Sequence, residues 1–130
     1  MNYNLSLNDR PFKAIKAGTK KIEGRTPKDE GDKRYEQMVI GDTLAFTNNI
    51  TGEQMICEVL SVNKYPNVRL MLENEGTRNV LSSNLDIEGG IKSYNSLGDY
   101  EERIKKYGIY AIGVKLIKTP QIVEYFQSLK

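Results

Sequence analysis

Two segments of strict two-residue alternation stand near opposite ends of the chain, and they constrain the fold more than any other feature. In "NYNLSL", Tyr3, Leu5 and Leu7 share one face while Asn2, Asn4 and Ser6 share the other. In "IYAIGVKLIK", Tyr110, Ile112, Val114 and Leu116 recur with the same period. A period of two is that of a half-buried strand, so both segments are expected to be strands of one sheet. Everything between them must begin and end at that sheet.

The intervening segments read as follows. "NDRPFKAIKAG" carries Asn8 or Asp9 as an N-cap, Pro11 in its first turn, Phe12 and Ile15 as an apolar stripe and Gly18 as a stop, which predicts a short helix. A charged strand over Lys21 to Arg25 follows, then a polar loop from Thr26 to Met38, placed as a lid beside the charged strand, with one helical turn near Arg34. "TLAFTN" and "QMICEVLSV", joined by the turn "NITGE", predict a hairpin at the centre of the sheet. From Pro66 the period becomes helical: one helix ends at Gly76, a second stretch is interrupted by Gly89 and Gly90, and "DYEERIKKYG" forms a third with a solvated polar face. Pro120 is expected to end the last strand and "QIVEYFQSL" to close the chain as a helix. Strand, helix, three strands, helical insert, strand, helix is an α+β order. It fits a small mixed β-barrel of five to six strands flanked by short helices better than a doubly wound sheet.

With 130 residues, 38% hydrophobic and 28% charged, the chain is sized for a single domain over 1–130. No segment has the length or apolarity of a membrane span or signal peptide, so a cytoplasmic protein with no membrane partner is expected. The single cysteine, Cys57, lies in the apolar run "MICEVL" and reads as a small buried hydrophobe. Histidine is absent, which removes the usual neutral-pH acid–base group and the commonest transition-metal ligand; no metal or cofactor is expected. Net charge is only +2, with residues 1–34 basic on balance and residues 68–103 acidic. That suits a small contact with a phosphate-bearing ligand, not an extended duplex interface, and it carries no sign of DNA specificity.

The chemistry concentrates in "AGTKKIEGRTP". On a strand, Lys21, Glu23 and Arg25 share one face and Ile22 and Gly24 the other. Lys20 has the wrong parity and joins Glu23 only if it sits in the bend that Gly18 permits. Alternating charges of this kind are often wet-surface ion pairs. Here the pattern G-x-K-x-x-E-x-R, as Gly18, Lys20, Glu23 and Arg25, resembles the signature of the ASCH domain, a relative of the PUA domain. The likeness extends to "GD-x-L-x-F" at Gly41 to Phe46, to Val59, Val62 and Tyr65, to "MLENEG" and to "YGIYAIGVKLI", spanning most of residues 5 to 118.

The resemblance implies a PUA-like barrel with a cleft between barrel and helices, and RNA or a nucleoside-like small molecule as partner. It also implies an alternative, since some relatives are ribonucleases and one branch deacetylates N4-acetylcytidine. In that branch a lysine at the position of Lys20 activates a threonine, and a separate glutamate assists. Here the threonine position is Glu23, and the assisting glutamate falls near Glu73 or Glu75. A metal-independent hydrolase would use Lys20, Glu23 and Glu75 as catalytic residues, with Glu23 activating water and Lys20 holding an oxyanion. A binding protein would use Lys20, Lys21 and Arg25, with Asn48 reading a base edge and Tyr94 and Tyr107 as exposed stacking platforms. A Glu23–Arg25 pair would depress the carboxyl pKa and favour binding. A third reading is a protein-interaction module in which the charged motif stabilises the fold.

Overall fold

The structure is a computed structural model that describes residues 1–122, with side chains through Lys118. Strand β1 (Asn2–Leu7) leads into α1 (Asp9–Ala17), β2 (Ile22–Arg25), the single turn α2 (Arg34–Gln37), β3 (Thr43–Asn48) and β4 (Glu53–Tyr65). Four short helices follow: α3 (Val68–Glu75), α4 (Thr77–Val80), α5 (Ile87–Asn95) and α6 (Tyr100–Tyr107); β5 (Ile109–Ile122) returns to the sheet. The five strands form one sheet in the order β1-β3-β4-β5-β2. The β1–β3 pair is parallel and the other pairs are antiparallel, so the fold is mixed α+β with β4 at the middle of the sheet.

The sheet curls because its two alternating strands bury one face around a common core. Tyr3, Leu5 and Leu7 of β1, Leu44 and Phe46 of β3, Met55, Cys57 and Val59 of β4, and Ile112 of β5 converge there, with Phe12 and Ile15 of α1 at one mouth. Burial pushes the Cys57 thiol up to about 11, as its apolar surroundings require. A second core lies on the opposite face of β2 and β5. Ile22, Ile109 and Ala111 pack there against Val68, Met71 and Leu72 of α3, Val80 of α4, Tyr94 of α5 and Ile104 of α6. Strand β5 is therefore buried on both faces over its first half, and Ile109 to Val114 reads as a nearly continuous apolar run for that reason.

Three expectations are corrected. Gly89 and Gly90 do not interrupt a helix: α5 runs through both, with the Asp86 side chain accepting from the Gly89 N–H at 2.8 Å. A Cβ at Gly90 would lie 2.7 Å from Leu72 Cδ1 and 3.0 Å from Leu81 Cδ1, so this glycine serves close packing of α5 on its neighbours. Pro120 does not end β5, which continues to Ile122. The register slips between Ile56↔Lys118 and Gln54↔Gln121, so Pro120 falls in a bulge, where a missing N–H is tolerated. Of the closing helix, Gln121 and Ile122 belong to β5 and the remainder lies outside the described residues. The loop after β2 is tied down rather than placed as a lid. Arg103 donates to the Thr26 and Pro27 carbonyls at 2.6 and 3.0 Å, and Tyr35 and Met38 are buried in the first core.

Helix α1 is held on the sheet chiefly by Phe12 and Ile15. Phe12→Ala is expected to destabilise the protein by about 3–5 kcal/mol, measured by urea denaturation, because a fully buried aromatic leaves a cavity as well as losing transfer energy.

Candidate functional site

Gly18 ends α1 in the left-handed conformation, at φ 82°, and its N–H caps the Ile15 carbonyl. The bend it makes carries Lys20 inward and Lys21 outward. The Lys20 side chain is only 3% exposed. Its ammonium donates to the Ile22 carbonyl at 2.6 Å and to the Val80 carbonyl, and lies 3.3 Å from Glu23 Oε1. All three N–H groups are thereby engaged, and Lys20 has no donor left for a ligand. Glu23, also buried, takes Arg25 Nε on its other oxygen at 2.6 Å. Arg25 Nη2 then donates to the Ser6 carbonyl at 2.6 Å. Since β1 and β2 are the two edges of the sheet, this last bond bridges the open seam of the half-barrel.

Burial opposes the charge on Glu23, but the Arg25 guanidinium and the Lys20 ammonium outweigh it and hold the carboxyl below its ordinary value. Lys20 is shifted down by desolvation, which Glu23 only partly offsets. Arg25 also pays desolvation, and the adjacent carboxylate more than restores its charge.

The seam opens into a cleft of about 570 Å³ between the barrel mouth and the helical layer. Its charged lining is Arg10, Lys20, Glu23 and Arg25, a surplus of positive charge; Ser6, Ser82, Ser83 and Ser93 contribute polar groups. Leu7, Leu81 and Leu97 form apolar walls, and Tyr94 and Tyr100 stand together with ring centroids 6.5 Å apart and planes 20° apart. Arg25 Nη1 has no protein hydrogen-bond partner among the described residues, so this guanidinium, unlike Lys20, retains donors.

Of the residues expected at a site, the structure brings Lys20, Glu23, Arg25 and Tyr94 to the cleft and leaves the others elsewhere. Lys21 is exposed; its side chain points off the strand while its main chain bonds Asn79 and Val114. Asn48 is 1% exposed and acts as a turn latch, donating to Asp9 and accepting from the Ile50 and Thr51 N–H groups. Glu75 accepts from Asn63 and from the Tyr65 hydroxyl, whose pKa burial and that carboxylate push up to about 12. Tyr107 is half-buried at the end of α6, outside the cleft. Tyr94 is not an exposed platform: it is buried in the second core, lines the cleft and sets its hydroxyl against Gly24.

Sequence reasoning missed four contributors. Arg10 belongs to no motif and no apolar stripe, yet it follows the strand–helix corner and lines the cleft. Ser82 and Ser83, in an irregular segment with no periodic signal, line the opposite bank. Arg103, on a helix face expected to be solvated, braces the end of β2 instead; only its placement beside Tyr100, 4.8 Å from the ring centroid, marks it in space.

Lys20→Met is expected to cost about 3–5 kcal/mol in urea denaturation, because it strands two buried carbonyls and half of an ion network. Glu23 has a folded-state pKa below its unfolded one, so its stabilisation is complete above about pH 4.3 and is lost as pH falls toward the folded value. Stability measured between pH 6 and pH 2 should therefore fall more steeply in the wild type than in Glu23→Gln.

Comparison with known proteins accords with this architecture. The ASCH domain family model matches residues 5–118. The crystal structure of the hypothetical protein PH0355 is 38% identical, with a TM-score of 0.76 over 90% of this chain and 100% of the other. The solution structure of PF0455 from Pyrococcus furiosus is 35% identical, with a TM-score of 0.68 over 90% and 98%. The ASCH protein of Zymomonas mobilis, at 13% identity and a TM-score of 0.57 over 90% and 68%, shares the fold. No protein of curated function matches. Among the described residues no helix is long and apolar enough to cross a membrane. With a family model covering most of its length and two near full-length structural relatives above 30% identity, the chain belongs to the ASCH domain family.

Proposed function

We propose that the cleft binds RNA, or a single modified nucleoside or nucleotide, and that Arg25 is the cation the ligand meets. The observation that carries this reading is the division of labour within the ion network. Lys20 spends every donor on the protein, whereas Arg25 is aimed by Glu23 and Ser6 and keeps N–H groups free at a net-positive cleft. A guanidinium held in this way is suited to phosphate oxygens. The cleft volume matches a nucleotide-sized ligand, and its apolar walls suit a base. Arg10 adds a second cation at the rim. The hydrolytic alternative draws less support: a general base needs a raised carboxyl pKa, while Glu23 is lowered and both of its oxygens already hold cations. Glu75, the assisting carboxylate of that scheme, does not line the cleft.

Fluorescence anisotropy with labelled single-stranded RNA over a salt series tests the proposal. Two phosphate contacts should give a shallow slope of log K against log salt, about −1.4. Arg10→Ala should lower the slope magnitude by about 0.7 with stability within about 0.5 kcal/mol of wild type, as for other surface substitutions. In parallel incubations, labelled RNA and N4-acetylcytidine should remain intact. Turnover abolished by Glu23→Gln would establish the hydrolase instead, and a failure to bind either RNA or nucleotides would remove the nucleic-acid reading altogether.

A further inference from the structure

Strand β2 ends the sheet, so one of its edges faces β5 and the other faces no strand. The Lys21 carbonyl accepts from the Val114 N–H, which places Lys21, Glu23 and Arg25 as the residues whose main chains bond β5. The Ile22 carbonyl leaves the opposite edge and accepts from Lys20. Gly24 has the parity of Ile22, and both its N–H and its C=O leave the free edge, in the wall of the cleft.

Tyr94 meets that edge from the helical layer. The residue is 7% exposed, and a Cβ built on Gly24 would stand 2.5 Å from its Oη. Position 24 is therefore a glycine because the phenol occupies the space that a side chain would fill. The hydroxyl oxygen accepts from the Gly24 N–H, while no protein acceptor takes its proton among the described residues. Burial raises the phenol pKa, so Tyr94 stays protonated and remains a donor throughout the physiological range. The ring itself is fixed by the second core and by Tyr100. The Gly24 N–H is thus taken by the phenol, which leaves the hydroxyl proton and the Gly24 carbonyl as a donor and an acceptor side by side in the lining of the cleft.

We infer that the Tyr94 hydroxyl and the main-chain carbonyl of Gly24 together read the edge of a nucleobase, pairing a donor and an adjacent acceptor with the acceptor–donor edge that such a ring presents. This rests on the nucleotide reading of the cleft and assigns its two ends. Arg10 and Arg25 meet the phosphate, and the Gly24–Tyr94 corner, flanked by Leu81 and Leu97, meets the base. Specificity then comes from groups that no alternation of charges discloses: a glycine main chain and one phenol.

Isothermal titration of the wild-type protein with AMP, CMP, GMP, UMP and ribose 5-phosphate, alongside single-stranded RNA, tests this. At least one mononucleotide should bind about 10-fold or more tightly than ribose 5-phosphate. Tyr94→Phe, which keeps the ring and its packing, should weaken that nucleotide about 5–10-fold, as for one net hydrogen bond, while leaving ribose 5-phosphate and the melting temperature unchanged. Gly24→Ala, which forces the hydroxyl aside, should reduce the same preference. If ribose 5-phosphate binds as tightly as every nucleotide, or if Tyr94→Phe leaves the preference intact, base reading is overturned while phosphate binding stands. If neither RNA nor any of the five ligands binds, the nucleotide reading itself falls, and this inference with it.

Discussion

A carboxylate with a cation on each oxygen lies at the point where the sheet nearly closes on itself. Glu23 holds Lys20 on one side and Arg25 on the other, and each cation continues into main chain. Lys20 reaches the Ile22 and Val80 carbonyls, tying β2 to α4; Arg25 reaches the Ser6 carbonyl, tying β2 to β1. Three parts of the chain that are distant in sequence are thus joined by two side chains of one four-residue strand and by the lysine two residues before it.

Charges are expensive to bury, and they persist only when paired and hydrogen-bonded. Both conditions hold here, since no buried side-chain nitrogen or oxygen among the described residues is left without a partner. An apolar substitute of similar volume could fill the space, but it could not orient a guanidinium. The network therefore has a positional consequence beyond stability: the seam of the half-barrel is held by a residue that also faces the cleft.

The cleft itself is a product of the two cores. The first draws β1, β3, β4 and β5 into a curl and seats α1 at its mouth; the second draws α3 to α6 onto the outer face of β2 and β5. Where these layers part, they leave Arg10 and Ser6 on one bank and Ser82, Ser83 and Tyr94 on the other. Arg103 contributes from the far side by bonding the chain just after β2, which fixes the strand that carries Glu23 and Arg25.

Local patterns settled the strands, the short helix α1 and the face on which Glu23 and Arg25 lie, because alternation and capping depend only on near neighbours in the chain. They also settled that Lys20 must enter through a bend, since its parity is wrong for the strand and Gly18 supplies the turn. What a local pattern lacks is the identity of the atoms that arrive from elsewhere. Gly90 looked like a helix breaker until Leu72 and Leu81 were placed against it, and Pro120 like a strand end until the register of β4 supplied a bulge. Asn48 and Glu75 have suitable chemistry for a site, but the fold gave them turn and strand partners instead. The α+β order and the charged strand are legible in local pattern; which cation has its donors saturated by the protein and which keeps N–H groups free follows only from the packing of distant segments. Hydrogen-bond saturation is the reason: Lys20 meets the Val80 carbonyl across a long separation in sequence, and that meeting exists only once the helical layer has packed on the sheet.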